Sequence, residues 1–192
     1  MRAFHLDRER SRALWREARG FEDLCSLAER FVAGEIAHFP GWGACTLDVE
    51  SDALRDDLAR LARAGWLTTC SQPGRLDPGR DSRQRAFVAG FASETLAARV
   101  RELAANPGLG ARIARRGAES AVGVPVTIEG GAPRVVIGGP AIEAELECFE
   151  EDVAPSVLSA LADLPYVVAW DEEFGPSERL WRALRALGAR AP

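Results

Sequence analysis

Ser51-Asp52-Ala53-Leu54-Arg55-Asp56-Asp57-Leu58-Ala59-Arg60-Leu61, followed by Gly65-Trp66-Leu67-Thr68-Thr69-Cys70-Ser71-Gln72-Pro73-Gly74, is the stretch on which the fold turns. Leucines at 54, 58 and 61 share one helical face, and Gly65 has the chemistry of a helix C-terminus. Trp66 to Ser71 is a short run of apolar and β-branched residues and predicts a buried strand. Pro73-Gly74 has the order of a type II turn and predicts the strand's end. Thr68, Ser71 and Gln72 then fall near the C-terminal mouth of that strand, where small-molecule sites often lie. The competing reading is an ordinary helix–strand unit whose hydroxyls bond within their own turn.

Working outward towards the N-terminus, Asp48, Glu50 and Ser51 precede the helix. Ser51 reads as its N-cap, with an acid beside it to suit the helix dipole. His38-Phe39-Pro40-Gly41-Trp42-Gly43 is loop chemistry, with two aromatics able either to cover a pocket or to anchor the loop. Phe21, Leu24, Ala28, Phe31 and Val32 predict an amphipathic helix over 21–33. Residues 1–19 read as an arm or a short helix docked through Leu14 and Trp15, and 20–190 as a single α/β domain.

Towards the C-terminus, 75–83 reads as an arginine-bearing surface loop, a candidate lid. Ala86 to Phe91 predicts a second strand, and Ser93 caps a helix with Leu96, Val100 and Leu103 inward. Residues 109–119 predict a short arginine-rich helix. Val122–Ile128 and Arg134–Ile137, around Glu129-Gly130-Gly131-Ala132-Pro133, predict a hairpin. Residues 141–150 alternate apolar and acidic, so period two predicts a half-exposed strand. A helix over 155–164, a buried strand at 166–170 and a last helix opened by Pro176 complete the chain. The fold class is therefore α/β, with mixed sheets flanked by helices.

The 192 residues are enough for one sizeable core, and the apolar fraction of 47% is that of a globular protein. Net charge is −5, which argues against a nucleic-acid partner. All 24 basic residues are arginine, so lysine Schiff-base and lysine-nucleophile chemistry are excluded. No apolar run suits a membrane span, and the first residues lack a signal-peptide core, so a cytoplasmic location is expected. Cys25, Cys45, Cys70 and Cys148 are far apart without zinc-ligand spacing, and read as thiols. His5 and His38 have no partner spacing, and no glycine-rich phosphate loop follows a strand and opens a helix. The acids Glu145, Glu147, Glu150, Glu151 and Asp152 offer a cation site or, more plainly, a solvated strand edge.

Several blocks resemble the C-terminal regulatory domain of eukaryotic methylenetetrahydrofolate reductase. They are Phe31-Val32-Ala33-Gly34-Glu35, Phe39-Pro40 with Trp42, Glu50-Ser51-Asp52-Ala53-Leu54, Gly65 to Pro73, Arg83 to Phe91, and Tyr166 to Phe174 with Leu180-Trp181 beyond. The similarity spans roughly residues 20–104 and 155–188. It implies a non-catalytic α/β module that binds S-adenosylmethionine or S-adenosylhomocysteine. The family's contacts, carried over by position, fall on Glu50, Ser51, Thr68 and Ser71. Two further threonine contacts of that family have no counterpart between 105 and 150, where Thr127 is the sole threonine. The loop before Gln84-Arg85-Ala86-Phe87 is shorter here. The reductase barrel is absent, so reductase activity is not implied.

Three functions are thus expected in turn. The first is an adenosyl-ligand sensor or accessory domain with no required cofactor. The second is a protein-interaction module of immunity or defence type, using the arginine-rich segment 109–116 and the acidic segment 142–152 as two charged faces. The third is an enzyme on an adenosyl compound with Glu50 as its acid–base group.

Overall fold

The computed structural model describes residues 8–43, 46–117, 123–138 and 141–188. Seven helices and six strands alternate along them. The helices are α1 (Arg8–Arg16), α2 (Phe21–Val32), α3 (Arg55–Arg63), α4 (Glu94–Arg101), α5 (Ala141–Glu147), α6 (Pro155–Ala162) and α7 (Glu178–Gly188). The strands are β1 (Trp66–Asp77), β2 (Ser82–Ala92), β3 (Leu109–Ala114), β4 (Val124–Glu129), β5 (Ala132–Ile137) and β6 (Tyr166–Phe174).

β2 is the spine of the sheet. β1 pairs along one of its edges, while β4 and β6 share the other, β4 opposite residues 82–84 and β6 opposite 85–91. β3 extends the sheet beyond β6, and β5 beyond β4. The architecture is α/β with flanking helices, as expected, and every ladder in its one sheet is antiparallel.

Alternation along β2 and β6 divides the interior in two. Phe87, Ala89, Phe91 and Tyr166 face a core completed by Trp15, Leu24 and Phe149 from the N-terminal and middle helices. Val88, Ala92, Val167 and Ala169 face the opposite core, filled by Leu58, Leu61, Leu96 and Leu180 among others. At β2 and β6 both faces of the sheet are thus dry, which is why these central strands carry nearly continuous apolar runs, while β5 is exposed. A bidentate pair, Arg185 to Asp57 at 2.8 and 2.9 Å, ties α7 to α3. Trp15 of α1 is fully buried, so α1 belongs to the body; residues 1–7 of the expected arm lie outside the described residues.

Five local expectations are corrected. Pro73-Gly74 does not end β1, which runs on to Asp77. An edge strand tolerates a proline, and Gly74 takes φ 85° where a Cβ would stand 1.9 Å from the Gly175 carbonyl oxygen. The expected lid at 75–83 is therefore the tip of the β1–β2 hairpin, turned by Pro78–Arg80. Residues 109–114 form β3, because β6 offers them a paired edge; Trp170 covers Gly110 so closely that a Cβ there would meet its ring. Residues 141–147 form a helix: Ile142, Leu146 and Phe149 are buried at spacings of four and three, a pattern that overrides the accidental alternation with glutamate. Ser51 is not a helix N-cap. It lies inside a 3-10 turn over Val49–Leu54, which Asp48 precedes and which leads into α3.

Arg115 pairs with Glu94 at 2.7 Å and Arg116 with Glu143 at 3.2 Å. Of these, only the exposed Arg116–Glu143 pair joins the arginine-rich segment to the acidic one.

Candidate functional site

β1 begins at the floor of a hollow closed by α2, α3, the 3-10 turn and the loop after α2. Its walls are largely apolar: Phe31 and Val32 from α2, Leu58 and Ala62 from α3, and Phe39 from the loop. Trp42 stands at the mouth, about a third exposed. The empty volume is about 660 Å³, open solvent at the mouth included. The cavity proper is only about 70 Å³, below the usual range of small-molecule pockets, so a larger ligand extends through the mouth or widens the hollow.

A bulge aims the polar groups. The pairing of β1 with β2 runs Thr68 to Gly90 and then Cys70 to Ala89, leaving Thr69 without an opposite residue. Here five successive residues, Thr68 to Gln72, line the hollow. Gly90 makes the bulge possible, since a Cβ there would lie 2.0 Å from the Leu67 carbonyl oxygen.

Ser51, Thr68 and Ser71, three of the four residues expected to bind a ligand, line this one hollow. The Ser51 hydroxyl donates to the Ser71 carbonyl oxygen at 3.4 Å, joining the turn to the strand. Thr68 Oγ1 and Gln72 Oε1 are buried and meet no hydrogen-bonding partner. Buried polar atoms are rarely left so, and both belong to residues that line the hollow. Glu50 is not among the lining residues. Its carboxylate is exposed and accepts from Arg75 at 3.1 Å. The acidic residue that is among the lining residues is Asp48, two residues earlier and exposed. Sequence reasoning gave Asp48 no ligand role, and no periodicity in the sequence distinguishes it from Glu50.

Behind the β1 wall, Thr69 Oγ1 and the Tyr166 hydroxyl lie 3.1 Å apart and close to Glu145. Burial raises the Glu145 carboxyl above its ordinary range, and bonds with Thr69 and Tyr166 pull the other way. Burial also lifts the Cys70 thiol to about 12, so this wall carries no thiolate at neutral pH.

The loop bearing Phe39 and Trp42 is anchored from beneath. His38 Nε2 meets Asp152 Oδ2 at 2.6 Å, and Asp152 also accepts from Arg12 of α1. Burial alone would raise the Asp152 carboxyl, but the bonds from Arg12 and His38 outweigh it and hold it below the usual range. Trp15 donates to the His38 carbonyl oxygen at 2.9 Å, and its ring meets Phe39 edge-on at 5.1 Å. Asp152 is thus a structural clamp and not part of a cation site; no metal-holding group of His, Cys, Asp or Glu occurs among the described residues. Cys25, Cys70 and Cys148 are free thiols, while Cys45 lies outside the described residues. No helix among them is long and apolar enough to cross a membrane.

Fold and site together define an α/β protein with one antiparallel sheet between two helical layers and a hollow beside its edge strand. The chain belongs to the DUF6919 family, a domain of unknown function whose model matches residues 10–190. That match takes in α1 as well as the two cores. No curated protein matches the chain.

Proposed function

We propose that the hollow beside β1 binds a small adenosyl compound, S-adenosylmethionine or S-adenosylhomocysteine, and that the protein is a non-catalytic sensor or accessory domain for it. One observation carries this reading: Ser51, Thr68 and Ser71 converge on a single hollow in which the Thr68 hydroxyl and the Gln72 amide oxygen are buried and unpartnered. Small hydroxyls and an amide there suit ribose and amino-acid groups, and the apolar walls suit a base. Glu50 outside the hollow, engaged with Arg75, favours binding over acid–base turnover. Free thiols at Cys25, Cys70 and Cys148 fit a cytoplasmic site of action. A sensor of this kind would signal to a protein partner.

Calorimetric titration of the purified protein with each ligand tests the reading, with Thr68→Val and Ser71→Ala as controls. Saturable heat that both substitutions weaken is expected. No heat from either ligand, with no nucleoside retained in native mass spectra, would refute it. Conversion of the ligand during incubation would replace the sensor by an enzyme.

A further inference from the structure

We infer that the hollow selects a small organic cation, with Asp48 as its counter-charge and Trp42 as the aromatic face beside it. This deepens the binding proposal and rests on it.

The charges around the hollow are one-sided. Asp48 is the only ionisable carboxylate, and there is no arginine or histidine, among its described lining residues. Two arginines on the same elements are committed elsewhere. Arg55 bonds the Val32 carbonyl oxygen and meets Asp52 at 2.5 Å, and Arg75 is held by Glu50. The Asp48 carboxylate, by contrast, has no ion pair or hydrogen bond with any described residue; only its backbone oxygen is used, accepting from Ser51 N at 2.9 Å. A phosphate or carboxylate entering here would meet like charge and no compensating cation. A neutral ligand would leave Asp48 as it is. A positive ligand would gain Asp48 and the rings of Trp42, Phe39 and Phe31, all of which line the hollow. The deeper unpartnered atoms, Thr68 Oγ1 and Gln72 Oε1, can both accept, which suits the amino donors such a ligand carries.

A matched pair of probes separates charge from shape. 5′-Methylthioadenosine is a neutral thioether; its S-methyl sulfonium differs by one methyl group and one positive charge. Each is titrated by calorimetry into the full chain at low and high salt, and into Asp48→Asn, whose melting temperature serves as the folding control. A partly solvated charge pair with an aromatic contact is worth about tenfold, so the sulfonium should bind about tenfold tighter. In Asp48→Asn or at high salt the preference should fall to about threefold or less, the aromatic share remaining. Equal affinity for the two probes, or a preference unchanged in Asp48→Asn, overturns the cation inference and leaves nucleoside binding standing. Benzyltrimethylammonium makes the opposite separation. If it binds and Asp48→Asn removes that binding while neither nucleoside gives heat, the cation site stands and the adenosyl reading falls. No heat from any of the three overturns both.

Discussion

Replacing Asp152 by asparagine should loosen the molecule at the base of the pocket loop, and the size of the effect follows from what the carboxylate holds. It is 3% exposed and receives bonds from His38, which begins the loop carrying Phe39 and Trp42, and from Arg12 on α1. Asparagine keeps the shape and one acceptor oxygen but loses the charge. Removing one partner of a fully buried pair costs about 3–5 kcal/mol. Arg12 reaches solvent, so we expect about 2 kcal/mol, measured as the difference in urea unfolding free energy at pH 7. For a chain of this length that is a fall of roughly 4–8 °C in melting temperature. The pH dependence has a definite sign. The folded carboxyl lies below its unfolded value of about 3.9, so its contribution is complete well above that pH. It disappears as pH falls through the lower folded value. The gap between the parent protein and Asp152→Asn should therefore be constant from pH 7 to about 5 and close below about 4. A gap under about 0.5 kcal/mol at pH 7, or one undiminished at pH 3, would refute the clamp, since surface substitutions alone reach that size.

Three further outcomes are expected. Thr68→Val removes a hydroxyl with no partner, so stability should change by under about 1 kcal/mol in either direction; a loss above about 2 kcal/mol would mean that the hydroxyl is engaged. Gly90→Ala puts a methyl group against the backbone of Leu67 and Thr68 at the bulge; a loss of about 3 kcal/mol or more in urea unfolding is expected, and a neutral effect would show that the β1–β2 pairing differs. Iodoacetamide at pH 8, followed by peptide mass spectrometry in a Cys45→Ser background, should label the exposed Cys148 much faster than Cys25 or Cys70, whose burial lifts both thiols to about 12; equal labelling of Cys70 would show that its wall opens.

Residues whose partners are close in the chain were legible without coordinates. Leu58 and Leu61 on one face of α3, the Ser93 cap bonded to Leu96 N, the Gly130-Gly131 hairpin and the inward Leu180, Trp181 and Leu184 of α7 all follow from spacing and turn chemistry. Local logic singled out Thr68, Ser71 and Gln72, the family resemblance added Ser51, and all four line one hollow. Local logic failed where a distant segment supplied the deciding partner. Residues 109–114 carry helix-compatible arginines, but β6 lies alongside to pair with them. Pro73-Gly74 looks like a stop, yet β2 continues beside it and holds β1 to Asp77.

The sequence alone determined which segments are helix or strand wherever one periodicity was unambiguous. Only the tertiary structure decided that Asp48 and not Glu50 is among the residues lining the hollow, that a bulge opposite Gly90 interrupts β1 there, and that α1 underpins the pocket loop through Arg12 and Asp152. The physical reason is range. Helical and strand propensities are read within a few residues, whereas the direction of a single carboxylate and the survival of an unpartnered hydroxyl depend on how far-separated parts of the chain pack.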